Sequence, residues 1–176
     1  RQGRYLVTCL NGVVCMVTAN GDSISELAHG TGDKASSIDF CSNSFGIVGS
    51  GSRSHNTPLL RTTNGGDDWE PMSVRCGNEY MKYVHGVICF SQDRAIIFGR
   101  TKSNNNAVWI GSPSTGKWIK TKIKELIREY GKITKAQSAF LLTNSGKLLI
   151  TYDSRASWQE ITIPFDESAR YIAVFH

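Results

Sequence analysis

The chain has 176 residues, 40% of them hydrophobic, enough for one compact domain that removes roughly 70% of its unfolded surface from water, and this excludes a disordered chain or one that needs staples to fold. No apolar run approaches the roughly 20 residues of a membrane-crossing helix. The formal net charge of +5 does not mark the whole molecule as a polyanion binder, because the excess sits in one segment near the middle.

Arg1 in place of Met reads as the start of a processed or excised piece, and Tyr5–Leu10 as the second strand of the first blade, leading to an Asn11-Gly12 turn. From there the chain repeats. Ile38-Asp39-Phe40 followed by Gly46-Ile47-Val48-Gly49 is matched by Val87-Ile88-Cys89-Phe90 and Ala95-Ile96-Ile97-Phe98-Gly99, with nine residues from Phe to Gly in both copies. Each copy then reaches a reversal closed by tryptophan, at Trp69 and, 49 residues later, at Trp118. A third reversal ends at Trp158 and a worn one runs over Val17–Ile24, so the period is 40 to 49 residues. Short β-branched runs separated by Asn-Gly and Asn-Ser-Gly turns, four per period, predict propeller blades. In the second repeat the strands fall near 37–41, 45–50, 59–63 and 69–74. The repeats span about 1–30 plus 168–176, 31–80, 81–120 and 121–167, all within a single 1–176 domain, and Arg170–Phe175 is expected to complete the first blade and close a four-bladed ring.

Between Lys117 and Lys135 seven basic residues against Glu125 and Glu129 hold the whole charge excess. Ile119, Ile123, Leu126, Ile127 and Tyr130 have the spacing of one apolar helical stripe, so this segment is expected to form a short basic amphipathic helix stopped at Gly131. Lys120, Lys122, Lys124 and Arg128 would be its means of reaching nucleic acid or an anionic membrane.

The reversal Thr62-Thr63-Asn64-Gly65-Gly66-Asp67-Asp68-Trp69 resembles the Asp-box of bacterial neuraminidase repeats, Ser/Thr-x-Asp-x-Gly-x-Thr-Trp: Thr62, Gly66 and Trp69 match and Asn64 stands where Asp is usual. Thr151, Asp153, Ser157 and Trp158 match in the fourth repeat, with Arg155 in place of the glycine. The second repeat as a whole is similar to the blades of photosystem II assembly factors and related sialidase-like Asp-box propellers. The resemblance implies an all-β propeller whose boxes are structural: a short polar side chain accepts amide protons inside its own turn, glycine takes the positive φ, and the indole anchors the hairpin.

Chemistry is sparse by comparison. Sialidases need an arginine cluster, a Tyr/Glu pair and an acid drawn from six blades, and no motif assigns those roles here, so no catalytic residue, metal ligand or cofactor is expected. The five cysteines are dispersed without a C-x-x-C pair and read as buried thiols, and their number, with no N-x-[ST] acceptor, leans toward an intracellular location. Two stretches between second and third strands are long and polar, Ser50–Thr57 and Arg100–Asn106. Such loops on a rigid scaffold concentrate binding, so Arg53, His55, Asn56, Arg100, Lys102 and Asn104 are expected to converge on one rim and bind a protein or a glycan without catalysis, a sialidase-like hydrolase being the alternative.

Overall fold

The computed structural model describes residues 4–8, 13–18, 24–29, 34–51, 58–133, 138–152 and 157–161, and among these every regular element is a strand. In chain order they are β1 (Arg4–Thr8), β2 (Val13–Thr18), β3 (Ile24–His29), β4 (Lys34–Phe40), β5 (Gly46–Gly51), β6 (Leu59–Thr62), β7 (Glu70–Met72), β8 (Arg75–Cys76), β9 (Glu79–Ser91), β10 (Arg94–Thr101), β11 (Asn106–Ser112), β12 (Lys117–Lys120), β13 (Ile127–Ile133), β14 (Ser138–Thr143), β15 (Leu148–Thr151) and β16 (Gln159–Ile161). Consecutive strands pair antiparallel into four meanders: β1–β3, β4–β7, β9–β12 and β13–β16. The short β8 pairs antiparallel with the start of β9 and parallel with β12 through Lys117 and Arg75, so β8 to β12 form a closed circuit of five strands.

Strand alternation sends successive side chains to opposite faces, and in the middle meanders both faces are buried. Ile47 and Leu59 pack with Ile97 and Trp109 between the second and third meanders. Their neighbours Val48 and Leu60 turn the other way, to Val14 of the first. Ile96, Phe98, Val108 and Ile110 likewise face Ala139, Leu141 and Leu149 of the fourth. Sheets stacked face to face explain why these strands read as unbroken apolar runs such as Ala95-Ile96-Ile97-Phe98. Each Ile or Leu so buried contributes about 1.5–3 kcal/mol. Gly99 is required by this packing, since a Cβ there would collide with the carbonyl oxygen of Tyr83 on β9.

Some expectations are corrected, and others fall outside the described residues. The basic helix does not form: Lys117–Lys120 is β12, residues 121–126 are irregular, and Ile127–Ile133 is β13. Ile127 and Tyr130 do pack on the same core, with Ile123, but through a register shift between Ile127 and Glu129. Such a bulge inverts strand parity, so residues three apart share a face and imitate helical spacing. Ile119, which a helical stripe would bury, is 63% exposed. The third-repeat stretch is not a long loop, because Arg100 and Thr101 end β10, Asn106 begins β11, and only residues 102–105 connect them. In the second repeat Ser50 and Gly51 belong to β5, while 52–57, and with them Arg53, His55 and Asn56, lie outside the described residues. The same holds for Asp153 and for the expected closing strand Arg170–Phe175.

Candidate functional site

The hairpin between β6 and β7 is held by side chains within one eight-residue stretch. The Thr62 hydroxyl donates to Asn64 Oδ1 at 3.0 Å and accepts the Gly66 amide at 2.9 Å. Asn64 Oδ1 also accepts the Asp68 amide at 3.0 Å, and its Nδ2 donates to the Asp68 carboxylate at 2.8 Å. Gly65 and Gly66 have φ of 79° and 97°, a region costly for any side chain. Trp69 Nε1 donates to the Gly66 carbonyl at 3.0 Å while its ring meets Phe40 edge-on at 6.0 Å. Both polar atoms of the Asn64 side chain are thereby engaged inside the turn. In the fourth meander Thr151 is buried and Trp158 packs against the core shared with the third.

A cavity of about 370 Å³ opens between the third and fourth meanders. Phe98, Ala107, Leu126 and Ile127 give it apolar walls, and His85, Arg100, Asn106 and Glu125 supply its polar groups. The end of β10, the start of β11 and the irregular segment ahead of β13 meet here, which brings one of the six expected rim residues, Arg100, onto the cavity. Lys102 and Asn104 belong to the adjoining turn: the Lys102 amide donates to the Tyr80 carbonyl at 2.9 Å, and Asn104, at φ 63°, accepts Arg100 Nη1 at 3.4 Å. His85, Glu125, Leu126 and Ile127 are cavity residues that the sequence reading missed, and of these only His85, a titratable group between apolar strand residues, left a signal.

The cavity's charges are unequal in availability. The Ser145 hydroxyl donates to Glu125, and this bond, aided by Thr143 and by Lys147 at 3.3 Å, holds the carboxyl below its ordinary pKa. Glu125 is therefore an anion already committed to partners. His85 stacks flat on Tyr83, and its pKa is lowered by partial removal from water and then by the Arg100 charge. The Arg100 guanidinium is held by a long bond to Asn104 Oδ1. A planar donor fork beside a side-chain amide and an imidazole is suited to donate to carboxylate and carbonyl oxygens.

A second polar cluster ties the first strands of three meanders together. Lys132 of β13 donates to Asp39 Oδ1 and Oδ2 of β4 at 2.6 and 2.7 Å, and to the carbonyls of Phe40 and Cys89 at 3.0 Å each. Asp39 Oδ2 accepts the Cys89 amide of β9 at 2.7 Å, and Ser37 bonds Tyr130 OH at 2.7 Å. The ammonium is surrounded by acceptors, so this cluster is a joint between sheets. A charge inside the apolar run Ile38-Asp39-Phe40 was its sequence trace. Of the basic residues expected on a helix, Lys120 of β12 pairs with Glu79 at 2.5 Å, whereas Lys122, Lys124 and Arg128 are exposed.

No protein-family model matches the chain, and no curated protein does. Solved structures do. A structure of YCF48 bound to D1 peptide is similar at TM-score 0.52 and 19% identity over 72% of this chain. YCF48 from Cyanidioschyzon merolae gives TM-score 0.50, also at 19% identity over 72%. The GH74 xyloglucanase of Xanthomonas campestris gives 0.60 at 12% identity over 89%. The chain spans 39% of the length of the two YCF48 chains and 28% of the xyloglucanase. The fold they share with this chain is the β-propeller.

Proposed function

We propose that this chain is a recognition module whose four meanders act as propeller blades, the first completed by Arg170–Phe175, and which binds a carboxylate-bearing peptide segment of a partner protein in the cavity at Arg100. The observation that carries this reading is a concave, largely apolar site in which one carboxylate is engaged by its own neighbours while Arg100 and Asn106 line the walls. The fold neighbour YCF48, bound to a D1 peptide, supports a peptide as the class of ligand. In this reading Lys102 and Asn104 extend the contact surface, and Arg53, His55 and Asn56 are expected to contribute to binding. The xyloglucanase neighbour favours a second reading, a glycoside hydrolase, but hydrolysis of that kind works through two carboxyl groups and the cavity offers Glu125 alone among the described residues.

Peptides selected from a displayed random library against the purified chain test the proposal. Arg100→Ala is expected to weaken a selected acidic peptide about 10- to 100-fold, the range of a charge-assisted hydrogen-bond pair. Reversing Lys122, Lys124 and Arg128 to Glu is expected to leave that affinity unchanged. A bound carboxylate favours protonated His85, whose pKa in the free protein lies below the ordinary value. Binding then takes up a proton, so affinity rises as pH falls from about 7.5 to about 5.5. Equal affinity in Arg100→Ala overturns the site, release of reporter from fluorogenic glycosides establishes the hydrolase, and salt-sensitive RNA or acidic-vesicle binding lost in the charge reversal establishes the basic segment as the working surface.

A further inference from the structure

Five scattered cysteines gave no reason to expect a bond between any two, yet the fold places Cys41 Sγ and Cys89 Sγ 2.6 Å apart. That is inside sulfur–sulfur contact distance and roughly 0.6 Å beyond a covalent bond of about 2.0 Å. We propose that Cys41 and Cys89 are a thiol pair that a low-molecular-weight disulfide oxidises to a bond stapling the second meander to the third.

The backbone on both sides of the pair is already fixed. Lys132 holds the carbonyls of Phe40, the residue before Cys41, and of Cys89 itself, each at 3.0 Å. Asp39 accepts the Cys89 amide at 2.7 Å, and Ser37 Oγ accepts the Val87 amide at 3.2 Å. Because these bonds register β4 against β9, closing the remaining gap needs side-chain rotation with little backbone movement. Cys41 is partly open to solvent while Cys89 is buried, which sets the order of events. The Cys41 thiolate attacks one sulfur of the oxidant RS–SR, breaking its S–S bond and expelling RS⁻. The Cys89 thiolate then attacks Cys41 Sγ and expels the second RS⁻. The two thiol protons end on two RSH, the protein loses two electrons, and the oxidant gains them. Burial raises both thiol pKa values, so the exchange is slow at neutral pH and faster at about pH 8.5.

The test incubates the chain with oxidised glutathione at about pH 8.5 and reads the intact mass, followed by digestion without reductant. The expected result is loss of two hydrogens, one linked peptide pair containing Cys41 and Cys89, and a melting temperature higher by about 5–10 °C than that of the reduced chain, as for a bond closing a long loop. Cys41→Ser is expected to abolish the linkage and the shift. Both cysteines still alkylated after unfolding, a link to Cys9, Cys15 or Cys76 instead, or a lasting glutathione adduct on Cys41 overturns the proposal. The mass readings use the unmodified chain, so they decide the matter whether or not the variant folds.

Discussion

Trp109→Ala is expected to destabilise the chain by about 3–5 kcal/mol, the usual cost of emptying a large aromatic site in a core that relaxes only partly. Trp109 is 1% exposed and lies between the second and third meanders with Leu59, Val74 and Ile97. Its backbone is pinned on both edges, opposite Ile97 of β10 and Lys120 of β12, so the strands cannot close over the void. Denaturant unfolding measures the loss, with Ile119→Ala as the companion variant. Ile119, on the neighbouring strand, is mostly exposed and is expected to change stability by no more than about 0.5 kcal/mol. A costly Ile119→Ala with a harmless Trp109→Ala would reinstate the helical reading of 119–130 and remove β12 from the sheet.

Lys132→Met is expected to cost about 3 kcal/mol. Lys132 and Asp39 side chains are 19% and 21% exposed, and their contact is 2.6 Å. Removing one charge leaves the other partly buried and unpaired, a loss that measured cases place at about 3–5 kcal/mol for fully buried pairs. Partial exposure lowers this, while orphaning the Phe40 and Cys89 carbonyls raises it. For a chain of this size the melting temperature falls by about 6–12 °C. The double variant Lys132→Met with Asp39→Leu is expected to recover part of the loss, because replacing both charges removes the uncompensated carboxylate. A single variant that melts with the parent would show that the Lys132 contacts do not hold the three first strands together.

Local features were legible in the order of the residues. The second repeat's strands were expected near 37–41, 45–50, 59–63 and 69–74 and are found at Lys34–Phe40, Gly46–Gly51, Leu59–Thr62 and Glu70–Met72, because turn residues and alternating or unbroken apolar runs act over a few positions. The bonds of the Thr62–Trp69 hairpin span at most four residues, so they too are written in adjacent letters. The remaining features arise from contacts between distant parts of the chain or from irregularities of pairing. Ile127 and Tyr130 share a face through a bulge, a local irregularity that the spacing of apolar letters cannot distinguish from a helical turn. The cavity gathers side chains from β9, β10, β11 and the segment before β13, while Lys132 reaches Asp39 across 93 positions and Cys89 reaches Cys41 across 48. Such partners meet only when sheets stack face to face, and stacking is driven by non-directional burial of apolar area, which fixes that two faces join without recording in either strand which polar residues the joining will bring together.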